Sequence, residues 1–275
     1  MRRTYRFLKS TFVLSFTLTT FILTFVPDSF FAQGVIQVDL SNDTIVACNK
    51  LLYLLSIAIV IGVCKLIYLK FLRKSVTING NGYNIVVEYG DLFEKNECKK
   101  VIGFDECFTT NVGTAPADIK PNSICGQFLR KYPNVDFTAL VEQSNITPCR
   151  KHSAYNGFKC YPSGSIIPFN DYLLLAFAKL DKDGLGRMTR DEFLQCLDLM
   201  WREINKHYCN QSVAIPVLGS GITRLGDETL THQQLLDMII ASYKLSAHKL
   251  KQPAELHIVC RKDCSISLNK IGEYI

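Results

Sequence analysis

Two uninterrupted apolar runs near the start of the chain limit its folds more than any other feature. Ser10–Val26 carries no charge and is rich in Phe, Leu, Val, Ile and Thr. At 1.5 Å per residue it makes a helix of about 26 Å, close to the thickness of a bilayer's hydrocarbon core. Phe7 and Leu8 extend it, Lys9 can snorkel to the interface, and Pro27-Asp28 ends it. The second run, Leu51–Leu69, contains Ala58 and Gly62, with Lys65 near its far end. Spans over about 8–26 and 51–69 are therefore predicted inside an N-terminal segment, 1–74. A cleaved signal peptide is the rival reading of the first run, with Phe31-Ala32-Gln33-Gly34 as the cut. A second span so close behind favours a membrane hairpin.

Charge orients that hairpin. Residues 1–74 hold nine Lys/Arg and three Asp, which is the entire net charge of +6. Arg2, Arg3, Arg6 and Lys9 precede the first run, and Lys70, Arg73 and Lys74 follow the second. The loop from Asp28 to Ala47 carries three acids and no base. An excess of bases on the cytoplasmic side then places both termini in the cytoplasm and makes the chain a two-pass membrane protein. No intramembrane acid or polar stripe suggests an ion pathway. The remainder, 75–275, has 22 bases and 22 acids. A neutral body lacks the electrostatic footprint of a nucleic-acid binder.

The eleven cysteines are scattered, odd in number and without a C-x-x-C pair. This pattern suits reduced thiols rather than a disulfide framework. Cys149 with His152, or Cys260 with Cys264, lacks a second pair at ligand spacing, so no metal site is expected. Asp181, Asp183, Gly186, Met188 and Glu192 fall at calcium-loop positions 1, 3, 6, 8 and 12. Leu185 at position 5 supplies no oxygen, and the preceding segment reads as strand. A strand–turn–helix connection is predicted there. The five histidines form no pattern.

The body alternates strands and helices. Val76-Thr77-Ile78 and Ile85-Val86-Val87 flank Asn79-Gly80-Asn81-Gly82, a hairpin signal. Glu88-Tyr89 leads into Gly90-Asp91-Leu92-Phe93, with a short polar helix expected over Leu92–Lys99. Asp91 is most simply that helix's cap, but a carboxylate there can also accept the exocyclic amine of a base. Val101–Phe104 reads as a strand. Ser123 caps a helix to about Tyr132 and exposes N–H groups to an anion. Asp136–Gln143 is a further short helix, and Tyr172–Leu180 an apolar strand. Thr189 or Asp191 caps a helix whose stripe, Phe193, Cys196, Leu197, Met200, Trp201 and Ile204, belongs to a core. Val213–Leu218 is a buried strand ending in Gly219-Ser220-Gly221, a turn whose bare N–H groups suit a phosphate. Asp227 and Thr229 offer caps for a helix reaching about Lys249, and Glu255–Cys260 is the last strand. The class is an α/β three-layer domain with a mixed sheet, whose ligand cleft lies beyond strand carboxyl ends.

Several of these stretches resemble a known family. Gly90-Asp91-Leu92-Phe93 is similar to the Gly-Asp-Ile-Thr signature of macro domains, which bind ADP-ribose. Ile215-Pro216-Val217-Leu218-Gly219-Ser220-Gly221-Ile222 is similar to their diphosphate loop. Ser123-Ile124-Cys125-Gly126 stands where they carry a triple-glycine loop at a helix start. With its paired spans, the chain resembles the transmembrane macro-domain effectors of the Thoeris anti-phage defence system over nearly its whole length. That resemblance implies an ADP-ribose derivative as ligand. Asp91 would take the adenine amine and Leu92 would contact the base by its backbone. Ser123, Ile124, Cys125 and Gly126, with Gly219, Ser220, Gly221 and Ile222, would hold the diphosphate, and Thr223 would line the distal ribose. It also implies a TIR-domain partner enzyme that makes the signal, a bacterial inner-membrane location, homo-oligomers and loss of membrane integrity on activation, with no resident cofactor. De-ADP-ribosylating macro domains carry Asn just after the second strand, where this chain has Gly103-Phe104-Asp105. That departure favours a sensor over a membrane-anchored ADP-ribosyl hydrolase, the alternative.

Overall fold

The computed structural model describes residues 2–32, 41–68, 73–221, 224–225, 230–262 and 265–271. It divides into two units, Met1–Arg73 and Lys74–Ile275.

The first unit holds helices α1 (Arg2–Phe25), α2 (Asp28–Ala32) and α3 (Asn42–Ile67). The stretches Phe7–Phe25 and Asn42–Ile67 are long and apolar enough to cross a membrane. α3 begins nine residues before the apolar run, because Asn42-Asp43-Thr44 behind Ser41 makes a polar first turn with an acid at the positive end of the helix dipole. α1 and α3 pack together, and the residues α1 buries there are Thr11, Ser15 and Thr19. Their four-residue spacing places them on one face. Ser15 Oγ donates to the Phe12 carbonyl at 2.9 Å, whereas the Thr11 and Thr19 hydroxyls have no partner among the described residues. This polar stripe escaped the sequence reading. Opposite it, a Cβ on Gly62 would lie 3.9 Å from Thr11 Cγ2, ordinary contact distance. Lys65 Nζ reaches Ser10 Oγ (3.1 Å), Lys50 Nζ pairs with Asp28 (2.6 Å), and buried Asn49 donates to the Phe31 carbonyl (2.8 Å).

Among the described residues, the second unit is built on a nine-stranded mixed sheet. Its strands are β1 (Ser75–Asn79), β2 (Asn84–Tyr89), β3 (Cys98–Asp105), β4 (Ile166–Phe169), β5 (Tyr172–Leu180), β6 (Gly186–Met188), β7 (Ser212–Pro216), β8 (Arg224–Leu225) and β9 (Leu256–Cys260). The order is β1-β2-β9-β7-β3-β5-β6-β8, with β4 antiparallel to β5. β2, β9, β7, β3 and β5 run parallel. Their connections carry helices α4 (Ile124–Lys131), α5 (Phe137–Gln143), α6 (Arg190–His207) and α7 (His232–Leu245).

Period-two alternation decides which face each side chain joins. In β5, Leu173, Leu175 and Phe177 meet α6 and α7, while Tyr172, Leu174 and Ala176 meet α4 and α5. Both faces are therefore dry, as the continuous apolar run of a central parallel strand requires. Trp201 anchors the first core: its ring meets Tyr243 at 4.8 Å and its Nε1 donates to Ser242 Oγ at 3.0 Å. Phe128 anchors the second, with the rings of Phe104, Phe137, Phe169 and Tyr172 around it.

Three elements differ from their sequence reading. The polar helix after Asp91 is only a short 3-10 turn, Leu92–Glu94, and β3 starts three residues before Val101, at Cys98. The predicted polar helix reaches Lys99, yet pairing of Cys98, Lys99 and Lys100 with β7, and of Lys100 with β5, overrides local preference. Lys100 is buried, its Nζ bonded to the Cys98 carbonyl (3.0 Å) and set over the Tyr172 ring. Strand β7 stops at Pro216, so Val217 and Leu218 already belong to the turn. α7 is capped by Thr231, which forms a reciprocal capping box with Gln234. Asp227 and Thr229 lie outside the described residues. The calcium-like run is the predicted turn: Asp181 Oδ1 accepts from the N–H groups of Asp183 and Leu185, and Oδ2 pairs with Arg187. Thr189 then caps α6 in a box with Glu192.

Candidate functional site

Three parallel neighbours, β2, β9 and β7, end side by side at Tyr89, Cys260 and Pro216. Beyond their carboxyl ends the chain leaves in different directions and opens a cleft of about 420 Å³. Its walls are Gly90–Phe93 after β2, Pro216 at the end of β7 with Val217 and Ser220 beyond it, Val259, Arg261 and Lys262 at the end of β9, and Asn122, Ile124 and Gln127 at the start of α4. The volume and the mostly apolar lining with a few polar groups suit a nucleotide-sized ligand.

The stretch after β2 folds as its residues dictate. Asp91 has extended backbone, and its Oδ1 accepts from the Phe93 N–H at 2.9 Å, so it caps the 3-10 turn. Its carboxylate is exposed and lines the cleft. Leu92 turns its side chain into the second core, which leaves its backbone at the cleft edge.

At the start of α4, Ser123 does two jobs. Its Oγ donates to the Lys120 carbonyl (2.7 Å) and accepts from the Gly126 N–H (3.0 Å), while its carbonyl accepts from the Gln127 N–H (2.9 Å). Ile124 faces the cleft. Cys125 points into the core, and burial there holds its thiol well above the usual range. Gly126 is a glycine for lack of room: a Cβ would lie 2.3 Å from the Lys120 carbonyl oxygen. Thus Ile124 lines the cavity, while Ser123, Cys125 and Gly126 shape the turn behind it.

The turn after β7 closes on itself. Both the Ser220 hydroxyl (2.6 Å) and its N–H (3.4 Å) point to the Val217 carbonyl. Gly219 adopts φ of +78°, the left-handed region that glycine enters freely. Gly221 has open space where a Cβ would go. Ile222 and Thr223 lie outside the described residues.

Nine lining residues were absent from the sequence-predicted ligand set, among them Phe93, Asn122, Gln127, Val259, Arg261 and Lys262. Gln127 is one helical turn beyond Ser123, and Arg261-Lys262 follow the last apolar strand directly. The signal was the same strand-end logic that singled out Gly219-Ser220-Gly221, not applied to β9. The cleft consequently has an acid, Asp91, after β2 and two bases after β9. Asp105, at the end of β3, does not line it. Burial raises the Asp105 carboxyl, and its oxygens accept from the Cys107 and Thr109 N–H groups and the Thr109 hydroxyl. Among the described residues no three His, Cys, Asp or Glu side chains converge as a metal site would need.

A mixed sheet between helical layers, with a cleft at the ends of its central parallel strands, is the architecture of a macro domain. The sequence profile described as "Thoeris protein ThsA, Macro domain" matches residues 85–261. This chain belongs to that family, the ThsA macro-domain proteins of Thoeris defence. It is 30% identical over 240 residues to Thoeris protein ThsA of Bacillus amyloliquefaciens (strain Y2), covering 82% of this chain and 78% of that one. The likeness thus covers more than the α/β body alone. Among solved structures, a point mutant of the Oceanobacillus iheyensis macrodomain shares 10% identity at a TM-score of 0.44, covering 70% of this chain and 91% of its own. The same macrodomain with ADP gives 10% identity and a TM-score of 0.39, over 69% and 89%.

Proposed function

We propose that this protein is a membrane-bound sensor and effector that binds an ADP-ribose-type nucleotide and then compromises the membrane. The observation that carries the reading is the strand-end cleft, with the exposed carboxylate of Asp91 at one wall and basic residues at another. Asp91 would accept the adenine amine, the backbone of Leu92 would meet the base edge, and Ile124, Val217 and Val259 would flank the ring. The turn Gly219–Gly221, with Ile222 and Thr223 following, would border the diphosphate and distal ribose.

Membership of a Thoeris family supports a TIR-domain enzyme as the source of the nucleotide. The apolar faces of α1 and α3, and the bases flanking them, support a bilayer location with both termini in the cytoplasm. Binding acts on the membrane only if the ligand prefers one assembly of the chain over another, so homo-oligomers are part of the proposal. A sensor is favoured over a hydrolase because Asp105 is held in its own turn, away from the cleft, where a de-ADP-ribosylating site would need groups aimed at the ligand.

The test is to purify the full chain from cells with an activated partner enzyme and identify the retained small molecule by mass. An adenine diphosphate nucleotide, returned unchanged after prolonged incubation, is expected. Absence of any nucleotide, together with no calorimetric binding of ADP-ribose, would reject the reading. Release of ADP-ribose from a modified substrate would make the protein a hydrolase instead.

A further inference from the structure

We propose that the loop Cys149–Cys160 docks the body on anionic phospholipid headgroups, a second hold on the membrane besides the helices of the first unit. The inference rests on the bilayer location proposed above and is independent of the nucleotide. From Gln143 to Asn170 the chain carries no acid, and its three bases, Arg150, Lys151 and Lys159, all fall in this loop. The body as a whole is neutral, so the excess is local. Lys151 and Lys159 are exposed, as are the rings of Tyr155 and Phe158, at 45% and 58%. Among the described residues of the body only two other large hydrophobic side chains are exposed, Leu194 and Leu245. Aromatic rings set between lysines suit a headgroup layer, where the ring enters the interface and the ammonium meets phosphate.

The loop is framed to present those side chains. At its base the Cys149 N–H donates to the Cys160 carbonyl and the Cys160 N–H to the Arg150 carbonyl, both at 2.9 Å, and the Ser153 N–H donates to the Phe158 carbonyl at 2.8 Å. Ser153 Oγ accepts from the Tyr155 and Asn156 N–H groups (both 3.1 Å), and Asn156 Oδ1 accepts from the Phe158 N–H (3.0 Å). Arg150 serves attachment: it meets buried Glu106 at 2.5 Å, and Glu106 also accepts from the Leu180 N–H at 3.1 Å. Lys151 and Lys159 remain as the outward charges. Tyr155 packs against Gly184, where a Cβ would lie 2.7 Å from its ring. In that turn Asp181 pairs with Arg187 and Asp183 adjoins Lys182, so it adds no net negative charge.

The place of the loop on the fold suits lipid contact. Glu106 follows β3 and Leu180 ends β5, so the loop hangs from the carboxyl end of the parallel strands. Lys74, where the chain enters the body, is at that same end of the sheet. Its carbonyl accepts from the Tyr89 N–H (3.1 Å) at the end of β2, beside the Ser75–Glu88 pair. A body tethered at Lys74 can therefore bring this loop to a lipid surface.

The experiment places the full chain in lipid nanodiscs of pure phosphatidylcholine or of equal parts phosphatidylcholine and phosphatidylglycerol. Maleimide labelling of Cys149, exposed at the base of the loop, is followed by peptide mass spectrometry. Cys209, exposed between α6 and β7 at the opposite end of the sheet, is the internal reference. Relative to Cys209, Cys149 should label about tenfold more slowly on the mixed discs than on the neutral ones, and high salt should restore the rate. Lys151→Gln/Lys159→Gln should lose most of this protection and Lys151→Arg/Lys159→Arg should keep it. Phe158→Ser should weaken it with the charge intact. Unfolding midpoints check that each variant is folded, and the lipid and salt dependence of the wild type needs no variant. Equal labelling of Cys149 on the two lipids, or protection that the Gln pair keeps, would overturn the lipid docking and leave the bilayer location standing; a thiol slow on both lipids would give the loop a protein cover instead. A chain that stays out of discs of either lipid would overturn the location and the docking together.

Discussion

The helical pair at the N-terminus and the α/β body use the same apolar residue types in opposite ways. Among the described residues, eighteen large hydrophobic side chains are exposed in the first unit and four in the second. Phe12, Phe16, Phe21, Leu55 and Ile59 face outward from α1 and α3, while Thr11, Ser15, Thr19 and Asn49 are buried between elements of that unit. The body reverses this, with Trp201, Phe128 and the β5 leucines inside. An aqueous solvent drives apolar area inward at about 25 cal/mol per Å². A hydrocarbon solvent gives no such drive, so in the proposed bilayer location small and polar residues would take the contacts and large apolar ones would face lipid. The contrast locates the chemistry as well: the nucleotide-sized cleft lies wholly in the body.

Five measurements can break or sharpen that comparison. The largest effect is expected for Gly221→Glu. The site has open space for a Cβ, so the fold should persist. A carboxylate beside the diphosphate should nevertheless abolish nucleotide binding, and cells with an activated partner enzyme should survive. Membrane depolarisation by this variant would detach the cleft from the membrane response. Next comes Trp201→Ala, which should cost the body about 3–5 kcal/mol in denaturant unfolding. Phe12→Ala, 61% exposed on α1, should leave the unfolding of the purified chain unchanged in detergent. Equal costs would show that both units bury their aromatics from water.

Asp91→Ala should weaken ADP-ribose by about 1.5–3 kcal/mol, the range for a hydrogen bond to a charged group. An unchanged calorimetric affinity would remove Asp91 from the ligand. Inside the hairpin, Asn49→Ala removes the donor to the Phe31 carbonyl and should cost about 1 kcal/mol of helix-pair stability, read by unfolding in detergent, without touching nucleotide affinity. The smallest effect is a pH dependence in the body. Burial acts to raise the Glu88 carboxyl, but its hydrogen bonds and charge pairing with Lys95 and His257 outweigh that and lower it from 4.5. A lowered carboxyl contributes its stability fully above about pH 4.5 and loses it as pH falls through the folded value. Glu88→Gln should thus shift the unfolding midpoint at pH 7 and converge on the wild type in acid. A constant gap across that range would point to packing rather than charge.

Features carried by neighbouring residues were legible in the sequence. The Thr189 and Ser123 caps, the Phe193–Ile204 stripe, the β5 run and the Asp91 turn each follow from spacing within one element. So do the two apolar helices and the bases around them, since hydropathy and charge need no partner to be read. What only the tertiary structure decided depends on distant segments meeting. β9 inserts between β2 and β7, and that places Arg261 and Lys262 in the cleft beside Asp91, far away in sequence. Pairing with β5 and β7 turns Lys99-Lys100 into strand. α3 selects which threonines of α1 become buried. Local patterns set what each segment can form, because propensity and periodicity act over a few residues. Which side chains face one another is set by sheet order and helix packing, whose energies arise only when the segments are brought together.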